Sequence, residues 1–417
     1  MRTALFAIII ANIICTFDAI LDESFYDMIN TQIFTNISTA VVTYVELKET
    51  FSRNEPSYIN KLTVGNKAFS NLDLGMITTL LANGAEEGPT KNELLSYSNV
   101  GDLISLNDRY LSDYTFLNSL ENVELYIGTT IYVQNSIDVT SNFSLICKNK
   151  LHCSILKLDF RNNIQTADII NSGVQDTTNY QILDIITPDN VDENAKMMVV
   201  NTVYFNIRCP IVSGTIVDRK FYASPTNWYL VPTIKFEKST YFHGEIKQWN
   251  TKFIEIPFLN DNIIMTIFLP NEEEPESLNY LLKKFNFKKF QSIRTANAYE
   301  EEIELYLPKF TIYYIQNMTN YFRNNGVSTI FEDDADFTRL STIPLKVSNI
   351  AQKFHVRIRK GNSETLEVVE KKDRKLIRPL RNFIVDHPFM YIIEINRVSE
   401  FVGAIRDAEF VIRKEEL

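Results

Sequence analysis

The side chains that a partner could use most directly lie in residues 359–382, near the C-terminus. This stretch, RKGNSETLEVVEKKDRKLIRPLRN, is charged and has neither helical nor strand periodicity. The adjacent Arg374 and Lys375 suit an enzyme that cleaves peptides after basic side chains. Leu376 and Ile377, which follow, suit one that cleaves after apolar side chains. Long loops without internal structure are uncommon in compact domains and are usually functional or disordered. The stretch is therefore predicted to be displayed for a partner.

Residues that could do chemistry of their own do not form a recognisable set. The Gly-x-Ser-x-Gly elbow, the P-loop and the dinucleotide fingerprint are missing from the sequence. The acidic runs Glu272–Glu274 and Glu332–Asp336 lack the alternation and the glycine of a calcium loop. The histidines lie far apart, without the spacing of metal ligands: His152, His243, His355 and His387. The chain is predicted not to be an enzyme and to need no metal or cofactor.

Composition favours one compact domain. Of 417 residues, 45% are hydrophobic, with 28 Phe and 20 Tyr, which is ample for a core. The 42 basic and 52 acidic residues give a net charge of −10, which argues against a nucleic-acid partner. With 12 Gly and 13 Pro, no segment has the composition of an interdomain linker. We expect a monomer.

The N-terminus has the pattern of a secretory signal peptide. Arg2 precedes an apolar run from Ala4 to Cys15, which is too short to span a bilayer. Cleavage is expected between Cys15 and Ala19, so residues 1–19 would be removed. No later stretch has the length of a transmembrane helix. The mature chain is therefore expected to be secreted, with no membrane partner.

Three cysteines follow the signal segment: Cys147, Cys153 and Cys209. An odd number cannot all pair within one chain. Cys147 and Cys153 could bridge a short loop, or all three could be buried thiols. A chain of this size needs no disulfide scaffold, which favours thiols. Sequons at Asn36, Asn142 and Asn317 predict glycan sites wherever these residues are exposed.

The apolar periodicity changes along the chain. The first part predicts helices at Ser70–Asn83, Thr90–Leu95 and Asn107–Leu120. From Val123 to Ile131 the apolar residues alternate as in a half-buried strand. Further strands are predicted at Ile155–Phe160, Lys196–Phe205, Leu230–Phe236, Thr251–Pro257, Ile263–Leu269, Glu302–Leu307, Lys346–Ile358 and Phe389–Ile395. Two more helices are predicted at Pro275–Phe285 and Gln316–Asn325. Helices followed by long strand runs indicate an α+β fold.

The order of short segments resembles that of the serpin family over nearly the whole mature chain, residues 20–407. The segments, in chain order, are FSNL (69–72), LLANGAEEGPT (80–90), TTIYVQ (129–134), LDF (158–160), IIN (169–171), VVNTVYF (199–205), VPTIKF (231–236), IEIPF (254–258), TIFLPNE (266–272), LYLPKFTI (305–312), NNGVSTIFEDDADF (324–337), LKVSNIAQKF (345–354) and DHPFMYII (386–393). One such segment would be weak evidence, but their shared order and spacing are specific.

The resemblance implies a serpin fold, with one large central sheet, two smaller sheets and eight or nine helices. It also implies that residues 360–382 are a reactive-centre loop. A protease that forms an acyl bond with this loop would be trapped when the loop inserts as a new strand into the central sheet. The matching cleavage position is Leu376-Ile377 or Ile377-Arg378, with Arg374 and Lys375 as the alternative.

The loop departs from the family pattern at its hinge, which comprises Asn362, Ser363, Glu364, Thr365, Leu366 and Glu367. Ser363 and Glu364 match the family's small hydroxyl and acid, whereas the family's alanine-rich run is absent and Asn362 replaces a glycine. Because strand side chains alternate, Glu367, Lys371 and Asp373 would face inward if Ser363 does. About ten new ladder hydrogen bonds would contribute roughly 10 kcal/mol, and each buried unpaired charge costs several kcal/mol. Insertion is therefore predicted to be partial or unusual.

Two functions follow from the resemblance. The first is inhibition of a trypsin-, chymotrypsin- or papain-like endopeptidase, although the charges at Lys371–Lys375 could simply keep a loop soluble. The second is a non-inhibitory binding or chaperone protein. It rests on the tail 408–417, whose Lys414-Glu415-Glu416-Leu417 nearly matches the endoplasmic-reticulum retention signal Lys-Asp-Glu-Leu. A heparin-type site is not expected, because no helix carries a dense basic stripe.

Overall fold

The computed structural model describes residues 67–209, 214–236, 238–360, 381–396 and 398–407. The expected signal peptide, the sequon at Asn36, residues 361–380 and the tail 408–417 lie outside the described residues. Among the residues that are described, no helix is long and apolar enough to cross a membrane.

Eight α-helices are described, and several begin where the sequence supplies a cap. They are α1 (Asn71–Gly84), α2 (Pro89–Tyr97), α3 (Leu103–Asn118), α4 (Ser141–Ile146), α5 (Asn163–Thr177), α6 (Pro275–Lys284), α7 (Phe287–Asn297) and α8 (Thr319–Asn324). The Ser70 hydroxyl accepts a hydrogen bond from the Asp73 amide at the start of α1. The Asp102 carboxylate does the same for the Ser105 amide in α3. These side chains satisfy amides that lack a partner inside the helix.

Fifteen strands are described. They are β1 (Lys67–Ser70), β2 (Val123–Gln134), β3 (Ser154–Leu158), β4 (Met197–Cys209), β5 (Gly214–Ser224), β6 (Asn227–Phe236), β7 (Ser239–Ile246), β8 (Thr251–Pro257), β9 (Ile263–Pro270), β10 (Tyr299–Pro308), β11 (Thr311–Asn317), β12 (Val347–Lys360), β13 (Arg381–Ile384), β14 (Phe389–Ile395) and β15 (Val398–Ile405). Five form a central sheet in the order β11-β12-β4-β2-β3, in which β12 runs parallel to β4.

The other ten strands are hydrogen-bonded in the order β1-β15-β14-β9-β8-β7-β10-β6-β5, with β13 alongside β10. Strand β10 changes partner along its length. Its first half, Tyr299–Ile303, pairs with β7, and its second half, Tyr306–Pro308, pairs with β6. The resemblance implies two smaller sheets, and β10 joins them into one ten-stranded sheet.

The central sheet is covered on both faces. Helix α1 packs against one face, where Leu74 and Ile77 join Val199 and Ile350 in one apolar cluster. Helix α5 covers the other face with Ala167, Ile170 and Val174, which join Tyr132, Met198, Val200 and Tyr204 in a second cluster. The two helices thus enclose the middle of the sheet.

Two sequence predictions need correction. The helix predicted at Gln316–Asn325 begins only at Thr319, because β11 pairs with β12 as far as Asn317. The preference for three thiols was wrong, because Cys147 and Cys153 form a disulfide with a Cα–Cα distance of 4.9 Å. A π-helical turn over Cys147–Leu151 and a left-handed His152 return the chain to Cys147. That local geometry, and not a need for a scaffold, brings the two sulfurs together.

Candidate functional site

The described chain fixes both ends of the predicted loop. Strand β12 ends at Lys360, which pairs with Cys209 of β4. The chain resumes at Arg381 in β13, which runs parallel to β10 and pairs with Ile303. The predicted hinge residues 362–367, the cleavage positions Leu376, Ile377 and Arg378, and the alternatives Arg374 and Lys375 all lie outside the described residues. The strands on either side of these residues, β12 and β13 with their neighbours, form the frame that is described below.

The first part of this frame is the seam between β4 and β12. The two strands pair directly from Val347 and Met197 at one end to Lys360 and Cys209 at the other, with one irregularity near Val347. No strand therefore separates them along the ladder that the structure describes. Because β12 leads into residues 361–380 at its end, a strand that folded back from there would enter antiparallel to both neighbours. The seam is closed and adjacent to the start of the predicted loop.

One polar row crosses the face of the sheet that α1 covers. Thr129 of β2, Asn201 of β4 and Gln352 of β12 lie side by side in register. The Asn201 amide donates to the Thr129 hydroxyl at 2.9 Å, and all three side chains are buried. The neighbouring rows are apolar: Ile131, Val199 and Ile350 on one side, and Ile127, Val203 and Phe354 on the other.

Asp73 of α1 lies against this polar row and is fully buried. Its Oδ2 atom accepts a hydrogen bond from the Gln352 side-chain amide at 2.9 Å, whereas its Oδ1 atom is buried without a hydrogen-bond partner. Burial raises the pKa of Asp73 to about 8, although hydrogen bonds from Gln352 and Ser70 act in the opposite direction. The carboxyl group is therefore mostly protonated at neutral pH.

The opposite face of the seam is held by α5 and the segment that follows it. The Lys353 ammonium group, next in β12 after Gln352, donates to the Asp184 carbonyl oxygen. Burial lowers the pKa of Lys353 to about 8, and the nearby Asp184 carboxylate partly opposes this shift. At Gly128 of β2 a Cβ atom would overlap Thr177 of α5, so the helix lies very close to the sheet there.

The second part of the frame anchors the far end of the loop. Beyond β13, the Val385 amide donates to the Tyr306 carbonyl oxygen at 2.9 Å, and Phe383 and Val385 are buried. The Arg219 guanidinium lies 4.4 Å from the centre of the Tyr306 ring. The Lys235 ammonium pairs with Glu304 at 2.8 Å. The first contact ties the segment after the loop to β10, and the other two tie β10 to β5 and β6.

Two of the three predicted glycan sites fall on described residues, and both are exposed. Asn142 is the second residue of α4, and Asn317 is the last residue of β11. The Asn317 carboxamide oxygen also accepts a hydrogen bond from the Thr319 amide of its own sequon. Because both residues are exposed, each can accept a glycan, and the presence of a glycan at either stays a prediction.

Sequence reasoning missed Asp73, Asn201 and Gln352 as a group. An acidic residue at the third position of α1, after Ser70 as the cap, has an ordinary role beside the helix N-terminus. Its burial depends on the strands of the central sheet, which come from distant parts of the chain. The available signal was weaker: Asn201 and Gln352 interrupt the apolar residues on one face of their strands, where a buried polar residue needs a partner.

This arrangement suits a mechanical task. Strands β4 and β12 form a closed parallel seam with the polar row at its middle. At one end of this seam, Lys360 leads into residues 361–380. Opening this seam would present two unpaired strand edges to the segment that begins at Lys360. A strand added there would gain hydrogen bonds on both of its sides.

Comparisons with known proteins agree with this geometry. A family model described as "Serpin (serine protease inhibitor)" matches residues 55–408. The curated protein "Antitrypsin" of Bombyx mori is 27% identical over 326 residues, which are 76% of this chain and 82% of that protein.

Solved structures show the same fold. Serpin48 of the insect Tenebrio molitor aligns with a TM-score of 0.74 at 22% identity, covering 87% of this chain and 98% of that one. Human thyroxine-binding globulin in complex with its hormone aligns with a TM-score of 0.74 at 20% identity, covering 87% and 98%. At these identities the likeness speaks for the fold alone, and it confirms the predicted architecture.

Proposed function

Because this chain belongs to the serpin family, we propose that it is a protease inhibitor of the secretory pathway. Residues 360–382 would act as a reactive-centre loop that a serine- or cysteine-type endopeptidase attacks. The main support is the closed β4–β12 seam beside the start of this loop. A central sheet without an inserted strand still has the stabilisation of one further strand to gain, and this gain could drive the trapping of an acylated protease.

The depth of insertion follows from the burial along the seam. Near the loop, Arg208 is exposed, and Arg357 and Ile358 are half-buried. At the middle, Asn201 and Gln352 are almost fully buried. On the face that the polar row occupies, Ile207 and Val356 are already buried, so an inward-facing charge that enters the seam would lose its hydration within a few residues of Lys360, at a cost of several kcal/mol.

The loop carries Glu367, Lys371 and Asp373 at positions that would face inward if Ser363 does. We therefore propose that insertion is partial and stops between Lys360 and Gln352. Such a trap would hold serine proteases less firmly, and it favours targets such as papain-like enzymes, for which a tight-binding mode needs less insertion.

The proposal is tested by incubating the protein with trypsin, chymotrypsin and papain, followed by denaturing electrophoresis and mass spectrometry. We expect an SDS-stable complex with at least one enzyme. The cut should follow Leu376 or Ile377 for an enzyme that selects apolar residues, and Arg374 or Lys375 for trypsin. Loop cleavage that leaves all three enzymes fully active would rule out inhibition of these classes.

A matched pair of variants separates insertion from simple cleavage. Thr365→Arg places a charge at an inward hinge position, whereas Leu366→Arg places the same side chain at the neighbouring outward position. We expect Thr365→Arg to lower the complexed fraction at least about tenfold, because burying the new charge costs several kcal/mol. Leu366→Arg should retain complex formation. Equal behaviour of the two would mean that this part of the loop does not insert.

The second candidate function is a non-inhibitory binding or chaperone protein retained in the endoplasmic reticulum. Two observations favour it: the charged hinge, and the terminal Lys414-Glu415-Glu416-Leu417. The likeness to a thyroxine-binding protein also shows that the fold can serve binding. Fusing residues 408–417 to a secreted reporter tests the retention. A reporter that reaches the medium as fast as one with the scrambled decapeptide would exclude it.

A further inference from the structure

One cavity of the described residues has no part in the proposed mechanism. It lies between the turn that joins β7 to β8 and the start of α6, and its volume of about 500 Å³ is within the usual range of small-molecule sites. Trp249, Glu272 and Tyr280 are among its lining residues. We propose that this space, the α6 cavity, binds a small molecule that carries a primary ammonium group, a hydrogen-bond acceptor and an aromatic ring. Such binding does not depend on protease inhibition.

Trp249 offers the cavity a hydrogen-bond donor that the described chain leaves unused. Only 3% of this residue is exposed, and its ring packs against Phe285 with the ring centres 5.3 Å apart. The indole Nε1–H has no hydrogen-bond partner among the described residues, yet Nε1 is not one of their fully buried unpartnered atoms. The nitrogen therefore keeps accessible surface, and the accessible part of Trp249 lies in the cavity. Because a buried tryptophan N–H usually finds a partner, a ligand with an acceptor oxygen fits this position.

Glu272 places a carboxylate in the same lining, and its position is fixed. Its Oε1 atom accepts a hydrogen bond from the Asn250 side-chain amide at 3.2 Å, and its Oε2 atom accepts one from the Ser277 hydroxyl at 3.4 Å. Asn250 is itself held, because the backbone and side-chain amides of Asn271 donate to its two oxygens at 2.9 and 3.0 Å. Each carboxylate oxygen has two lone pairs, so both oxygens of Glu272 can accept a further donor from a ligand.

The lining also carries negative charge that no cation compensates. Besides Glu272 it contains Glu274 and Glu276, which lie at the N-terminus of α6, and a single cation, Lys247. No ion pair within the described residues involves these carboxylates. Three negative charges against one positive charge favour a cationic ligand, whose ammonium group can donate to the remaining lone pairs of Glu272. A ligand with a carboxylate of its own would be repelled.

Tyr280 adds an aromatic surface to the lining. This residue is 47% exposed, and the Lys284 ammonium lies 5.9 Å from the centre of its ring. An aromatic ring of a ligand can pack against this surface. An amino-acid amide with an aromatic side chain combines all three features, because its ammonium group suits Glu272, its carbonyl oxygen suits Trp249 and its ring suits Tyr280.

Trp249 can report on this binding through its own fluorescence. The chain has two tryptophans, and the other, Trp228, is exposed on β6. The full chain carrying Trp228→Phe is titrated with phenylalaninamide at about pH 6, where an α-amino group is protonated. We expect a saturable change in the emission of Trp249, with half-saturation in the millimolar range. The absence of a saturable change would overturn the inference.

Two related compounds separate recognition of the ammonium group from unspecific contact. N-acetylphenylalaninamide lacks the positive charge, and phenylalanine adds a carboxylate. Both should bind at least about tenfold more weakly than phenylalaninamide, because one loses a hydrogen bond to a charged group and the other is repelled by the lining. Equal binding of all three compounds would also overturn the inference.

Matched variants assign the binding to the cavity. Glu272→Gln combined with Glu276→Gln removes two charges of the lining and should weaken the binding of phenylalaninamide at least about tenfold. Glu273→Gln removes a charge from an exposed residue outside the lining, so it should change binding by less than about twofold. Equal effects of the two changes would place the ligand elsewhere and so contradict the proposal.

Calorimetry on the wild-type chain repeats the test if Trp228→Phe does not fold, and a titration without saturable heat would then overturn the inference. Trp249→Phe keeps an aromatic ring but lacks the N–H group, so calorimetry should show about fivefold weaker binding. A chain that binds the amide but inhibits no protease would refute the proposed function and leave this inference standing.

Discussion

The two sheets treat buried polar groups differently. In the ten-stranded sheet the buried charges form a compensated set: the Arg294 guanidinium donates to Glu394 at 3.0 Å and to Glu255 at 2.8 Å. Burial lowers the pKa of Arg294, but the charges of Glu394 and Glu255 more than offset it, so the pKa lies above its usual range. At the five-stranded sheet, Asp73 of α1 and Asn201 of β4 each bury an oxygen without a partner.

The difference matches the roles that the proposed function gives to the two sheets. Two hydroxyl groups, of Thr266 and Tyr391, are also buried without partners in the ten-stranded sheet. They are neutral and cannot ionise near neutral pH, and β14, which carries Tyr391, is buried at all seven of its residues. Unsatisfied carboxyl and amide oxygens beneath the β4–β12 seam weaken the closed state. Under the proposed function, the β4–β12 seam is the part that opens, and the compensated charges of the ten-stranded sheet favour that sheet staying intact.

The largest effect is expected when the compensated buried charges at the ten-stranded sheet lose their cation Arg294. Arg294→Leu removes the guanidinium that the buried Glu255 and Glu394 share, so the free energy of unfolding should fall by roughly 3–5 kcal/mol. Urea denaturation measures the change. The control is Arg323→Leu, which breaks the exposed pair with Glu332 and should cost at most about 1 kcal/mol. Similar losses of unfolding free energy in both variants would show that the buried ion pairs contribute no more stability than the exposed pair.

A smaller loss is expected where β14 and β15 pack most tightly. Gly403 faces Tyr391, and a Cβ atom there would overlap the ring, whose Cε1 atom would lie 2.6 Å away. Gly403→Ala should lower the free energy of unfolding by about 3 kcal/mol, because the buried ring has to move. Gly101→Ala, which has nothing within 4 Å of its Cβ position, should change it by no more than about 0.5 kcal/mol. A tolerated Gly403→Ala would mean that this sheet is less rigid than its packing suggests.

The smallest of these effects concerns helix α5, which covers one face of the five-stranded sheet. Gly128→Ala would push α5 outward through Thr177, at a cost of about 1–2 kcal/mol. It should also raise hydrogen exchange in 347–358 more than in 389–395, since α5 covers the seam. Thr177→Ser removes the methyl group that overlaps, so the double variant should recover most of the loss. Failure of this rescue would place the strain elsewhere.

The sequence predicted the framework better than the contacts. Strands β8, β9 and β14 were predicted to within one residue of their bounds, whereas β4 extends four residues beyond the predicted end, to Cys209. Apolar residues dominate all four runs. Helix α5 escaped notice, since Asn, Thr and Gly173 lower its propensity and Ile164 and Ile169 are exposed. Strand β5 was missed because many of its residues face solvent in a hairpin with β6.

The contact between Asp73 and the polar row could not be predicted from the sequence, because these residues meet only in the folded protein. Asp73, Asn201 and Gln352 come from three separate elements. The disulfide between Cys147 and Cys153 depended likewise on a π-helical turn that no propensity indicates. The close packing at Gly173 was likewise not predicted: the Tyr132 hydroxyl lies 3.1 Å from where its Cβ would be. A large residue there would collide with that tyrosine.

The central claim is that the β4–β12 seam accepts part of the loop once the loop is cut. Its most direct test is the thermal unfolding temperature of the intact chain and of the chain nicked once within 374–378. Insertion of about half the strand should contribute roughly 5 kcal/mol, which predicts a rise of at least about 5 °C. An unchanged or lower unfolding temperature in the nicked protein would contradict the claim.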